Sequence, residues 1–273
     1  MLWASGLGRE ERGETMKMNR LSTIAIALIG LALCLLSTQP VQANQVTIGA
    51  LKDNTLYNDP NGALSNGAGQ YIFAGRDNAG NPDRAVIAFD IAGNIPSGST
   101  ITSAVLTLHM SRTISGSETV TLHKLLASWG EGTSAASGQE GAGAAATTND
   151  ATWTYRFYNT VSWTNAGGDF SGTVSASTAV DAIGSYAWGS TSQMVTDVQG
   201  WLNSPSSNSG WIVMSDESTF PTTKRFDSKD NSSASVRPSL TVNFTLVPEP
   251  ATLLLLGTGL IGSVGILRRR RMR

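Results

Sequence analysis

Apolar and polar residues alternate in short runs along most of the chain. In residues 85–91, Ala85, Ile87, Phe89 and Ile91 share one side, with Val86, Ala88 and Asp90 on the other. Residues 101–110 repeat the pattern, with Leu106, Leu108 and Met110 directed inward. Shorter versions occur at 46–48, 119–125, 153–158, 210–215 and 239–246. A period of two predicts strands with one buried and one wet face, as in an antiparallel sandwich. The Gly, Ser, Thr and Asn between the runs supply the turns such a fold needs. One segment changes period. Met194, Val198, Trp201 and Leu202 fall at helical spacing, predicting a short helix capped by Ser192 and stopped near Asn203-Ser204-Pro205. The fold class expected is therefore all-β, an antiparallel β-sandwich with one short helix. Residues 134–148 are low-complexity Gly/Ala/Ser and read as a flexible loop or insertion.

The two ends follow a different pattern. Lys17 and Arg20 precede an apolar run at 21–36, and Val41-Gln42-Ala43 places small residues where signal peptidase requires them. Residues 1–43 read as an upstream extension and a cleaved signal peptide, the apolar run its helix, with translation starting at Met16 or Met18. At the other end, residues 251–267 are uncharged. They meet the lower limit of the roughly 17–25 residues that span a bilayer as a transmembrane helix. Arg268, Arg269, Arg270 and Arg271 would stop that helix and remain cytoplasmic. Signal and span together place the intervening domain on the periplasmic side of the inner membrane.

The order of parts at the C-terminus is specific. Val247-Pro248-Glu249-Pro250-Ala251-Thr252, a Leu/Gly-rich span and an arginine cluster resemble a PEP-CTERM sorting signal over residues 247–273. The resemblance implies a sorting motif at Pro248, Glu249 and Pro250, read by exosortase, a membrane transpeptidase that releases or transfers the domain. It also implies a Gram-negative host making exopolysaccharide, and a final location at the cell surface or in the extracellular matrix.

Charge and cysteine content narrow the chemistry. Residues 44–247 hold ten Lys/Arg against sixteen Asp/Glu, a net charge of −6. Nucleic acid is a poor partner for such a surface, because its phosphates need Lys and Arg. Cys34, the only cysteine, lies in the leader after Leu33, which does not fit a lipoprotein site. The exported part thus has no disulfide, cysteine nucleophile or thiolate zinc site. His109 and His123, on the outer faces of their strands, give little basis for histidine metal catalysis.

Residues 44–246 resemble the DNRLRE-type extracellular domain. The matching pieces are Arg84-Ala85-Val86-Ile87-Ala88-Phe89-Asp90, Ser103-Ala104-Val105-Leu106-Thr107-Leu108 and Trp129-Gly130-Glu131. The helix leading to Trp201-Leu202, Gly210-Trp211-Ile212, and Arg237-Pro238-Ser239-Leu240-Thr241-Val242 complete the set. The resemblance implies a jelly-roll-like β-sandwich related to carbohydrate-binding modules, with extracellular polysaccharide as its partner.

Candidate sites each have a plain alternative. Trp153 and Tyr155 alternate with Phe157 and are candidates for a sugar-stacking platform, whereas Trp201 and Trp211 read as core. Asp77, Asn81 and Asp83, with Asp53 or Asp59, are candidates for structural Ca²⁺, although the same residues build ordinary hairpin turns. No other cofactor is expected. Arg84 with Asp90, and Arg225 with Asp227, read as structural ion pairs or edge-strand charges. Glu131 and Asp169 could serve as the paired carboxylates of a glycosidase, but nothing in the sequence places them together. No G-x-S-x-G, H-E-x-x-H or phosphate-loop motif occurs. The expectation is a non-enzymatic, exported surface or matrix protein, processed by exosortase and binding extracellular polysaccharide. A purely structural matrix component and a polysaccharide lyase or hydrolase are the alternatives.

Overall fold

The computed structural model describes residues 43–246; the expected signal peptide, the membrane span 251–267 and the sorting motif lie outside the described residues. In chain order the elements are β1 (Ala43–Tyr57), β2 (Leu64–Ser65), β3 (Tyr71–Arg76), β4 (Pro82–Phe89), β5 (Thr100–Thr113), β6 (Glu118–Leu125) and β7 (Ala144–Ala145). They continue as β8 (Tyr155–Phe157), β9 (Val161–Ser162), β10 (Phe170–Val180), β11 (Gly184–Trp188), α1 (Ser192–Asn203), β12 (Trp211–Met214), β13 (Lys224–Asp227) and β14 (Ser239–Thr245). Among the described residues no helix is long and apolar enough to cross a membrane. The all-β class with one short helix is as expected.

The strands do not separate into two independent sheets. β1 pairs with β14 through Ala43 to Gly49 and then, from Ala50 to Tyr57, with β4, with a bulge between Ala50 and Lys52. With β5, β13 and β3, these strands close a six-stranded barrel-like ring, and β12, β6 and β10 extend from β4. A bulge bends a strand and raises its twist, which is what a strand needs to serve two neighbours in turn. The ring encloses Ile48, Ile87, Phe89, Leu106, Leu108, Met110, Phe226 and Leu240. Trp201 and Trp211 join that core, edge to face at 4.6 Å. α1 buries Met194, Val198, Trp201 and Leu202, as its spacing predicts. Its cap is Thr191, not Ser192: Thr191 is extended and its Oγ1 accepts the Met194 N–H at 3.1 Å, leaving Ser192 inside the first turn.

The larger departure concerns the outer face of β4. Val86 and Ala88, expected to be wet, are buried with Leu56, Leu125, Trp129, Ala151, Trp163 and Ile212 in a second core. The chain between β6 and β10 folds across this face, and its Trp129 and Trp163 donate indole N–H bonds to Ser209 O and Thr152 O. Alternation therefore marks two buried faces here, one large-sided and one small-sided.

The Gly/Ala-rich stretch 134–148 belongs to this cover and is tied down, not a free loop. Glu140 is buried, and its carboxylate accepts Asn66 Nδ2 at 2.8 Å, Tyr71 N at 3.0 Å and Gln70 N at 3.2 Å. Tyr57 Oη donates to its carbonyl at 2.9 Å, and β7 pairs with β2 a few residues on. Strands β3, β10, β11 and β13 were not visible as apolar alternation. β13 reads Lys-Arg-Phe-Asp, and β10 is mostly Ser, Thr, Gly and Ala.

Glu140→Ala would remove the acceptor shared by the Gln70 and Tyr71 N–H groups and the buried Asn66 amide. It is expected to lower stability by about 2–3 kcal/mol, measured by urea denaturation, whereas Ser137→Ala, at an exposed position three residues earlier, should change stability by less than about 0.5 kcal/mol.

Candidate functional site

Glu140 holds its neighbours Gln139 and Gly141 against the outer surface of β3, β5 and β13. There they line a cleft of about 180 Å³ with Phe73, Arg112, Thr113, Ile114, Thr223 and Arg225, and with Asp77, Asn78 and Asp83. Arg225 is nearly buried at 9% exposure. Its guanidinium stacks on Tyr71 at 3.8 Å and donates to Gln139 Oε1 at 2.6 Å and Ser111 Oγ at 3.1 Å. Arg112 donates to the same Gln139 oxygen at 2.9 Å. Among the described residues neither arginine has a carboxylate within salt-bridge distance. Thr223 Oγ1 is buried there without a hydrogen-bond partner. Burial first and then Asp77 and Glu217 push the Asp83 carboxyl well above the usual carboxylate range. A planar guanidinium with unused N–H groups beside an aromatic floor is suited to carboxylate or vicinal hydroxyl acceptors.

A second polar cluster lies beside the middle of β1. Asp53, Glu131 and Asp230 each place a carboxylate oxygen within 4.8 Å of the others. Asp53 is fully buried; its Oδ2 accepts the Lys229 N–H at 2.7 Å, while Oδ1 is buried with no partner. Glu131 Oε1 accepts the Asp53 N–H at 3.0 Å, and its carbonyl accepts Asn54 Nδ2 at 2.8 Å. Lys229 Nζ sits 3.2 Å from Glu131 and 2.9 Å from Asp230. Lys52 lies 4.0 Å over the Trp129 ring and donates to the Trp129 carbonyl. Burial, the first cause, raises Asp53 to about 8 and lowers Lys52 to about 8. The approach is tight: a Cβ on Gly67 would lie 1.8 Å from Glu131 O, so only glycine fits.

The residues singled out from the sequence are distributed differently. Trp153 precedes β8 instead of sharing it with Tyr155. Its ring lies 4.8 Å under the Arg84 guanidinium and against Gly167, and it is half-buried beside the second core. Tyr155 is also half-buried, edge-on to Tyr158 at 5.7 Å. Asp77 Oδ1 accepts the N–H groups of Ala79 and Asn81 at 2.8 Å each, and Asn81 Nδ2 reaches Oδ2 at 3.3 Å. That is the hydrogen bonding of a hairpin turn, and the acidic groups that converge are Asp53, Glu131 and Asp230 instead. Glu131 and Asp169 occupy different neighbourhoods, since Asp169 caps the Thr164–Asn165 turn at 2.8 Å from both N–H groups. His109 pairs with Asp227 at 2.6 Å, and His123 lies 2.9 Å from Ser171 O, so the histidines do not meet. Arg84 pairs with Glu217 at 2.7 Å and not with Asp90, which caps its own turn at Gly93. Arg225 and Asp227 likewise engage Gln139 and His109 instead of each other. Sequence reasoning missed Arg112, Gln139 and Asp230. Each is a single polar residue whose neighbours come from distant strands, and no spacing marks it.

Comparison with known protein families finds a PEP-CTERM protein-sorting motif at residues 246–271. The motif implies an exported surface protein that passes through a membrane-anchored stage and is processed by exosortase. The resemblance of the β domain to DNRLRE or carbohydrate-binding domains finds no support there. A search of curated proteins gives no match.

The raised Asp53 carboxyl has a measurable consequence. The folded chain keeps this proton up to about 8, whereas the unfolded chain releases it near 3.8. Its contribution is complete below the unfolded value and is lost as pH rises through the folded one. In chelator, stability should therefore fall between about pH 5 and about pH 8, and Asp53→Asn should show a smaller fall in urea midpoint over that interval.

Proposed function

We propose that this is a non-enzymatic surface or matrix protein whose β domain, a jelly-roll-like relative of carbohydrate-binding modules, binds extracellular polysaccharide. The binding site is the cleft formed by Arg112, Gln139, Thr223 and Arg225. The observation that carries this reading is the Arg225–Gln139–Arg112 arrangement: two guanidinium groups share one neutral acceptor and, among the described residues, have no carboxylate within salt-bridge distance. A cation as buried as Arg225 without a counter-ion is costly unless a ligand supplies one. Sugars carrying a carboxylate supply it, and their hydroxyls match the polar Asp77 and Asn78 that also line the cleft. The cleft is smaller than the roughly 300–1,000 Å³ of typical small-molecule sites, which suits one sugar unit of a chain gripped at the surface. The sequence resemblance to the DNRLRE domain supports the same partner.

Delivery and cargo fit together in this reading. The tail sends the domain through the inner membrane stage to the cell surface or the matrix, where polysaccharide is the abundant polymer. The Trp153–Tyr155 segment, half-buried and covered in part by Arg84, is the weaker platform. A purely structural matrix role remains the competing reading, and the cleft separates the two.

On immobilised uronic-acid polysaccharides the protein should be retained more strongly than on neutral glucans. Arg225→Ala and Arg112→Ala should each weaken retention about tenfold or more, comparable to the loss of a charged hydrogen-bonding group. Equal retention of parent and double variant would end the assignment of this cleft. Independently, replacing Glu249 by Ala in cells should leave the unprocessed, membrane-associated precursor, read on immunoblots of membrane and medium fractions.

A further inference from the structure

The cluster at Asp53, Glu131 and Asp230 draws its residues from three distant parts of the chain. Asp53 lies in β1, Glu131 in the segment that covers the outer face of β4, and Asp230 in the turn after β13. Its oxygens converge within 4.8 Å, close enough to share one ion. Convergence of acids alone proves little, since a lysine can neutralise them. Lys229 does so for Glu131 and Asp230. It does not do so for Asp53 Oδ1, which is buried, belongs to a fully buried side chain, and has no hydrogen-bond partner. Buried carboxylate oxygens are rarely left in this state, and an ion is one of the few things that satisfies them.

We propose that Asp53, Glu131 and Asp230 form a divalent-cation site, selective for calcium, that clamps the covering segment to β1 and to the β13 turn. The donor set is hard and all-oxygen, with neither cysteine nor histidine, which argues against zinc. Three carboxylates, of which Glu131 and Asp230 sit on loops of adjustable geometry, suit Ca²⁺, which takes six to eight oxygens at about 2.3–2.6 Å, better than Mg²⁺, which demands a near-ideal octahedron. An arriving ion displaces the Asp53 proton, and the three ionised acids against Lys52 and Lys229 then leave one net negative charge for it. Binding moves the Lys229 ammonium out of the cluster. That side chain is 23% exposed and its flexible stem reaches solvent. The site is separate from the Arg112–Arg225 cleft and does not depend on the polysaccharide reading.

The test is a calorimetric Ca²⁺ titration of the full-length chain, purified in detergent and stripped with chelator. One ion per chain is expected, with a dissociation constant of ~10⁻⁴–10⁻³ M, the range of extracellular calcium modules. Asp230→Asn, at a partly exposed position, and Glu131→Gln should each weaken binding ~10–100-fold. Lys229→Ala should tighten it, because the competing ammonium is gone; a plain ammonium-bridged acid cluster would show no such gain. Mg²⁺ at the same concentrations should bind more weakly. Absence of saturable Ca²⁺ uptake up to ~10 mM, well beyond that range, overturns the site. So does uptake that is unchanged in both Glu131→Gln and Asp230→Asn. Equal affinity for Mg²⁺ overturns the calcium selectivity.

Discussion

Strand β4 has no wet face, and much of the molecule follows from that. Ala85, Ile87 and Phe89 point into the ring, while Val86 and Ala88 point out of it, and all five are buried. Small and branched apolar groups on the outside cannot face water together with Ile212 and Leu56 without a large exposed patch. The long connection between β6 and β10 meets this requirement, laying Trp129 and Trp163 across the strands. Burying two tryptophans at a loop raises a second requirement, because their indole N–H groups need acceptors. Ser209 O and Thr152 O provide them. The cover is therefore a packed layer with its own polar accounting, although it contains little regular secondary structure.

Both polar clusters are products of that layer. Glu140, fixed by three donors near β3, presents Gln139 to the two arginines, so the cleft exists only because the Gly/Ala-rich stretch is anchored beside it. Glu131, six residues after the end of β6, meets Asp53 where β1 changes partners. The bulge between Ala50 and Lys52 lets β1 leave β14 and join β4, and Lys52 and Asp53 come immediately after it. Irregular backbone at a seam thus gathers charge that a regular ladder would have spaced apart.

The two ends of the chain and its middle convey different kinds of information. The PEP-CTERM motif concerns handling: export, a membrane stage and an exosortase. It says nothing about what the domain touches. The domain's contribution lies in how its charges are left: Arg112 and Arg225 without a carboxylate, and Asp53 with one oxygen unpartnered. Most other charged groups are satisfied locally, as Arg84 is by Glu217 and Asp169 by its own turn. Groups that the fold leaves unsatisfied are where ligand binding is expected, because a satisfied group gains little from a new partner.

From the sequence alone, the sorting tail, the all-β class and the inward set of β5 were legible. These rest on order and periodicity over contiguous residues. α1 was legible for the same reason, off by one residue at its cap because Thr191 and Ser192 offer the same hydroxyl chemistry. Which face of β4 is wet was not legible, since alternation of Val and Ala with Ile and Phe has the same period whether or not a distant loop covers it. Nor were the partners of Arg84, Arg225 and Glu131, which lie 133, 86 and 78 positions away in the chain at Glu217, Gln139 and Asp53. Tertiary structure decided those, because ring closure through β1 and the folding of the cover bring together residues that no local pattern relates.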